Sequence, residues 1–224
     1  MRMRRKKNLD QRLERCDGVQ VKDPAENKGR WREIFGMDGE LHLEIGCGKG
    51  DFAVGMAAAH PDCNWIAMER VSDVACLALE KAMAAKETRP DNLRFLIGDA
   101  KNLADWFPPH CADTLYLNFS DPWPKAGHAR RRLTHPDFLA IYRRVLVPGG
   151  LLCFKTDNEG LFDWSLEQFA AEGLRVAVMT RDLHSSALAE GNIMTEYERN
   201  FTSKGMPIYS AHVVFDKKDD GNNE

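Results

Sequence analysis

The amino-acid sequence predicts an α/β fold: a mainly parallel, seven-stranded sheet with helices on both faces. Three observations predict it. Short apolar runs alternate with longer stretches of helical apolar spacing, which is the mark of repeated βαβ units. A glycine-rich loop, "GCGKG", follows the first apolar run directly. Acidic residues recur just past the ends of successive runs, where open α/β sheets bind their ligands.

The elements follow in chain order. Residues 1–40 open with the basic arm "MRMRRKK" and carry few apolar pairs, so they read as an arm with one or two short helices laid against the core. No apolar stretch follows the basic residues, so the arm does not serve as a secretory signal, and a cytoplasmic protein is expected. Residues 41–216 hold the sheet. Its strands are "LHLEI" (41–45), "NWIAM" (64–68), "LRFLI" (93–97), "TLYLNF" (114–119) and "LLCFKT" (151–156), with two weaker ones in "LRVAVMT" and "IYSAHVVF". Crossover helices lie in "SDVACLALEKAMAAKE", "PDFLAIYRRVL" and "GLFDWSLEQFAAEG", where apolar residues recur at helical spacing. Pro148-Gly149-Gly150 is expected to end one helix and start the next strand. A polar, mainly acidic tail occupies residues 217–224.

Composition excludes several classes. Hydrophobic residues make up 43% and charged residues 29% of the 224, which excludes a disordered chain. The longest apolar runs fall far below the ~20 residues of a transmembrane helix, so no membrane partner is expected. The six cysteines, at 16, 47, 63, 76, 111 and 153, contain no C-x-x-C pair, which disfavours both a zinc site and a disulfide framework. His60 and Cys63 have H-x-x-C spacing but no second pair completes a tetrahedral set, so no metal is expected. Net charge is −3, yet it is segregated: positive residues gather at Arg2 to Lys7 and again at Lys125, Arg130, Arg131 and Arg132. Local potential rather than the sum governs binding to a polyanion. The second cluster directly follows the loop carrying Asp121.

The loops after the strands carry the chemistry. Gly46, Gly48 and Gly50 let the backbone turn tightly and let a ligand approach without meeting Cβ atoms. The dinucleotide fingerprint requires a glycine at position 51, where this chain has Asp51, which argues against a nicotinamide-dependent oxidoreductase. Asp51 at the start of the next helix would oppose a pyrophosphate and cap that helix. Glu44, just ahead of the glycines, suits an ammonium or sulfonium. Glu69, nineteen residues after Gly50, sits where an acid holds both hydroxyls of a ribose. Asp99 can accept from an adenine amino group. Each acid alone reads equally well as a helix cap after a strand. Together they outline S-adenosyl-L-methionine.

Asp121 ends the run "LNFS" and is followed by Pro122-Trp123-Pro124. Two prolines around a tryptophan hold a loop's shape at low entropic cost. Methyltransferases that act on exocyclic amines of nucleobases carry a related Asn/Asp-Pro-Pro-aromatic loop here. A ring nitrogen with a free lone pair, such as N7 of guanine, needs no proton removed, so Asp121 would orient the base and stabilise the positive charge that develops. A turn-forming Asp before proline is the structural alternative.

The motifs "LEIGCGKG", "YLNFSDPWPK", "RRRL", "FKTDN", "DLHSS" and "GNIMTEYE" together resemble the bacterial tRNA (guanine-N7-)-methyltransferases, from about residue 28 to residue 215. The resemblance implies a Rossmann-like class I S-adenosylmethionine-dependent methyltransferase fold and methyl transfer to the guanosine at tRNA position 46, in the variable loop. It implies that Glu44, Glu69 and Asp99 contact S-adenosyl-L-methionine, and that Asp121 is catalytic and also touches the cofactor. It implies further that Lys125, Asp157 and the segment Thr195, Glu196, Tyr197 and Glu198 meet tRNA. The same T-x-x-E is a capping box, with Thr195 as N-cap and Glu198 at N3, and both roles are compatible. One departure stands out: the family commonly carries Lys-Arg before His, whereas Ala126 and Gly127 precede His128 here. Besides the oxidoreductase, an exocyclic amino methyltransferase and a non-catalytic RNA-binding module are the alternatives. The chain is expected as a monomer or homodimer.

Overall fold

The computed structural model describes residues 6–84 and 91–216. Its centre is one seven-stranded sheet of β1 (Leu41–Ile45), β2 (Asn64–Glu69), β3 (Leu93–Ile97), β4 (Ala112–Asn118), β5 (Leu146–Thr156), β6 (Arg175–Thr180) and β7 (Tyr209–Phe215). The strand order is β3-β2-β1-β4-β5-β7-β6. The first five strands pair in parallel, while β7 runs antiparallel between β5 and β6. Helices α1 (Leu9–Glu14) and α2 (Trp31–Phe35) precede the sheet, and α3 (Asp51–Ala59), α4 (Ser72–Ala84), α5 (Leu103–Trp106), α6 (Pro136–Val145), α7 (Glu159–Ala171) and α8 (Glu196–Thr202) connect it. No helix among the described residues is long and apolar enough to cross a membrane.

Side-chain parity divides the core. In β2, Ile66 and Met68 enter one cluster with the aromatic residues of α6 and α7, while Trp65 and Ala67 enter a second with Phe52, Met56 and Leu79 of α3 and α4. Successive residues of a strand point to opposite faces, so one apolar run feeds both clusters. In β1, Leu43 and Ile45 belong to the first cluster, which turns Glu44 toward the α3 face. That rotation makes Glu44 a buried carboxylate.

Three expectations need correcting. Pro148-Gly149-Gly150 does not precede the strand: β5 begins at Leu146, and a register shift against β4 takes these residues up as a bulge, with Gly149 at φ 84°. Asp51 does not cap α3; Gly50 is the N-cap at φ 79°, and Asp51 instead meets Lys81 Nζ at 2.6 Å. The N-terminal segment does more than lie on the core, because Phe95 donates its N–H to Val19 O and accepts from Val21 N–H, so residues 19–21 cover the free edge of β3. Arg2 to Arg5, the end of the "AKE" stretch and the tail from Lys217 lie outside the described residues.

Candidate active site

The carboxyl ends of β1 to β5 open onto two adjoining cavities. The larger, about 550 Å³, is lined by Gly46, Glu69, Asp99, Asp121, Arg130 and Arg131, with Trp123 and Phe138 among its apolar walls. The smaller, about 380 Å³, is lined by Glu44, Gly46, Gly48, Thr195, Glu196 and Tyr197, with Lys49 and Asn118. Gly46 and Phe119 belong to both. The two cavities therefore meet at the turn that leads from β4 into Asp121.

Glu44 is 2% exposed. Its Oε1 accepts from Asn118 Nδ2 at 2.9 Å, while Oε2 has no hydrogen-bond partner among the described residues. Burial pushes the carboxyl up to about 7, against the Asn118 hydrogen bond and the positive charge of Lys155. A buried carboxylate with one unpartnered oxygen is costly unless a donor completes it, and Glu44 forms part of the wall of the smaller cavity. Glu69 is held by backbone: Oε2 accepts from Gly48 N–H at 3.2 Å and Oε1 from Val71 N–H at 2.8 Å. Asp99 accepts from Lys101 N–H at 3.0 Å and thereby caps a short 3₁₀ turn, while still lining the larger cavity. Gly50 lines neither cavity. A Cβ there would stand 2.8 Å from Ala78 Cβ, so its smallness serves the approach of α4.

Asp121 is exposed and makes no hydrogen bond or ion pair with any described residue. Its loop is nonetheless fixed. Arg132 Nε donates to Pro122 O and Nη2 to Trp123 O, both at 3.1 Å, and its guanidinium lies 4.4 Å from the centre of the Trp164 ring. Phe119 and Trp123 both take left-handed backbone angles, φ 55° and 42°, a conformation that costs a non-glycine residue roughly 1–2 kcal/mol. Arg131 covers the Trp123 ring at 4.9 Å. Of the three arginines expected to meet RNA, Arg132 is thus a staple of the loop, whereas Arg130 and Arg131 are exposed beside Asp121. Lys125 is exposed at the start of the 3₁₀ turn Ala126–Arg131.

The remaining residues expected to meet the substrate divide. Tyr197 is 48% exposed and stacks on Phe201 at 4.5 Å and against Phe119 at 5.1 Å. Its hydroxyl is pushed up by partial burial and by the charges of Asp157 and Asp121, which places it near both acids. Asp157 follows β5, half-buried, its carboxyl raised by desolvation. Glu196 meets Lys49 of the glycine loop at 2.7 Å, tying α8 to the smaller cavity. Thr195 Oγ1 accepts from Glu198 N–H at 2.9 Å, one half of the capping box. The reciprocal half is not formed, because the Glu198 carboxylate is wholly buried on Lys155 and Asn192.

Spacing alone does not single out Asn118 or Lys155. Both lie inside quoted motifs, and parity offers a signal for the first: with Glu44 opposite Tyr116 on the neighbouring strand, Asn118 comes to the same face. Within the H-x-x-C pair, Cys63 donates its N–H to His60 O at 3.2 Å. Cys63 also lies with Glu40 and His42, the ligand atoms of all three within 4.8 Å of one another and Glu40 Oε2 3.1 Å from His42 Nε2.

Residues 38–211 match the family described as "Putative methyltransferase". The tRNA (guanine-N(7)-)-methyltransferase of Bacillus subtilis is 46% identical over 213 residues, covering 95% of this chain and 98% of that protein. This chain belongs to the tRNA (guanine-N(7)-)-methyltransferase family. The relative from Lachnoclostridium phytofermentans is 48% identical over 199 residues, covering 89% and 91%, and that from Listeria monocytogenes serotype 4b is 46% identical over 217, covering 97% and 100%. Among solved structures, the 16S rRNA methyltransferase KamB superposes with a TM-score of 0.63 at 15% identity, covering 84% of this chain and 94% of its own. A mutant of the 16S rRNA (adenine(1408)-N(1))-methyltransferase of Catenulisporales acidiphilia, solved with its cosubstrate SAM, superposes at 0.57 with 18% identity, covering 88% and 93%. These two likenesses concern the fold: the seven-stranded methyltransferase architecture is that of this family member too.

Proposed function

We propose that this methyltransferase transfers the methyl group of S-adenosyl-L-methionine to N7 of the guanine at position 46, in the variable loop of tRNA, in the cytoplasm. The observation that carries the proposal is the meeting of the two cavities at the Phe119 turn, beside an Asp121 carboxylate that no described residue occupies. The donor set fits the cofactor. Glu44 would complete its open oxygen with the ammonium, Glu69 would hold the ribose hydroxyls and Asp99 the adenine amine. S-adenosyl-L-methionine, when bound, supplies an electrophilic methyl on a sulfonium. Asp121 would accept from the guanine N–H groups, turning N7 toward the methyl and stabilising the cationic product ring without removing a proton. Lys125, Arg130 and Arg131 would contact phosphates, with Tyr197 and Asp157 on the other side of the base.

The test is methyl transfer from labelled S-adenosyl-L-methionine to an unmodified tRNA transcript, with nucleoside analysis of the product. N7-methylguanosine is expected. Label on an exocyclic amine would assign the Asp121 loop to amino methylation, and tRNA binding without any transfer would leave a binding module.

The missing basic pair gives a second prediction. Gly127 has no atom within 4 Å of an added Cβ, and Ala126 is exposed beside it, so larger side chains fit. The double variant Ala126→Lys, Gly127→Arg should steepen the dependence of log affinity on log salt by about two, one for each added phosphate contact. Filter binding over a salt series checks it; an unchanged slope would place these positions away from the RNA backbone.

A further inference from the structure

The Glu198 carboxylate, which the family resemblance assigns to tRNA, is fully buried in a polar knot. It accepts from Lys155 Nζ at 3.0 Å and from Asn192 Nδ2 at 2.8 Å, and it lies 3.2 Å from His184 Nε2. Lys155 also donates to Asn192 Oδ1 at 2.8 Å. A buried ion pair adds little net stability, because desolvation offsets its attraction, so its presence asks for another reason. The surroundings of Lys155 supply one. Its carbonyl accepts the N–H of Phe119 at 2.9 Å, holding the left-handed turn that leads to Asp121. Its ammonium lies 5.0 Å from the centre of the Phe52 ring and 5.9 Å from that of Phe119. The residue before Glu198 on α8, Tyr197, packs on Phe119. One lysine therefore touches the loop of the catalytic acid through its backbone and the substrate-side helix through its side chain.

We propose that Lys155, paired with Glu198, is a positioning residue for methyl transfer: it holds the Phe119–Asp121 turn and the Tyr197 end of α8 in one fixed relation. The inference rests on the function proposed above and assigns Glu198 to the interior rather than to RNA. The same ammonium acts on Glu44. The groups facing that carboxylate are Asn118, Lys155, Glu69, the Cys47 thiol and the Ala53 N–H, and Lys155 is the cation among them. Its charge favours the ionised carboxylate that an ammonium ligand requires.

The experiment compares wild type, Lys155→Met, Lys155→Arg and Glu198→Gln in steady-state formation of N7-methylguanosine, at a temperature where circular dichroism shows each variant folded. A displacement of about 1 Å at the reacting groups costs on the order of 100-fold, so kcat should fall by about that factor in Lys155→Met and Glu198→Gln while KM for tRNA changes little. Lys155→Arg, which keeps the charge, should restore much of the loss. In Lys155→Met the pH midpoint for S-adenosyl-L-methionine binding, read by calorimetry, should move up by about one pH unit, a change that mere loosening of the fold would not produce. If Lys155→Met does not fold, Glu198→Gln, which preserves volume, decides. Folded variants with wild-type kcat would overturn the proposal. So would a Glu198→Gln variant with raised KM for tRNA and unchanged kcat, which would return Glu198 to the RNA. A wild type that forms no N7-methylguanosine would defeat the functional reading and the positioning role with it.

Discussion

Asp121→Ala is expected to lower kcat for methyl transfer by about 10³-fold, the scale seen when a preorganised group that stabilises transition-state charge is removed. The protein should be otherwise intact. Asp121 is exposed and makes no hydrogen bond or ion pair with a described residue, and its loop is held by Arg132 and Phe119 instead. The thermal midpoint should therefore match wild type, which separates loss of chemistry from loss of fold. Asp121→Asn retains a hydrogen-bond acceptor without the charge. It should fall between wild type and Asp121→Ala if orientation and charge stabilisation both contribute. Single-turnover assays with saturating S-adenosyl-L-methionine measure this; an Asp121→Ala rate within tenfold of wild type would remove Asp121 from the catalytic role.

Glu44 should make both stability and cofactor affinity depend on pH, in opposite senses. Burial raises its carboxyl from 4.5 to about 7 in the folded chain. Between those values the unfolded chain is ionised while the folded chain holds the proton. Stability from this residue is then fully present below pH 4.5 and lost as pH rises through about 7. At ~1.4 kcal/mol per pH unit, the loss in the ligand-free protein is at most about 3.5 kcal/mol. Glu44→Gln should remove that dependence and stabilise the free protein at pH 8, as thermal melts across pH would show. An ammonium needs the ionised carboxylate, so affinity for S-adenosyl-L-methionine should instead rise through pH 7. Glu44→Gln should lower it by roughly 100-fold, the scale for truncating one partner of a buried charge pair. Calorimetry that found pH-independent affinity, or full affinity in Glu44→Gln, would place the ammonium elsewhere.

Local order in the chain carried much of the site. Strand ends are visible as the points where apolar runs stop, and open α/β sheets bind at those ends, so the sequence alone marks Glu69, Asp99 and Asp121. The structure sets all three around one cavity. Helix boundaries were similarly local: Pro136 and the apolar spacing behind it place α6 to within a residue. The start of β5 at Leu146, ahead of the Pro148–Gly150 bulge, was not readable this way, because such a bulge depends on the pairing of β5 with β4 and β7, not on the residues within it.

What the sequence by itself determined was the class of fold, the family, and which loops carry acids. These follow from periodicity and motif, properties of neighbours along the chain. The tertiary structure alone decided what those acids touch. Glu44 and Asn118 are 74 residues apart, Lys155 and Glu198 are 43 apart, and Lys49 and Glu196 are 147 apart, yet each pair is in hydrogen-bond contact. The strand order that puts β1 beside β4, and the return of α8 across the glycine loop, create those contacts. They also separate residues that look alike in sequence. Arg132 staples a loop while Arg130 and Arg131 face the cavity. Glu198 is buried on Lys155 while Glu196, two residues earlier, stands at the surface. Burial sets the energetic role of a charge, and burial is a property of the packed chain, not of the residue or its neighbours in sequence.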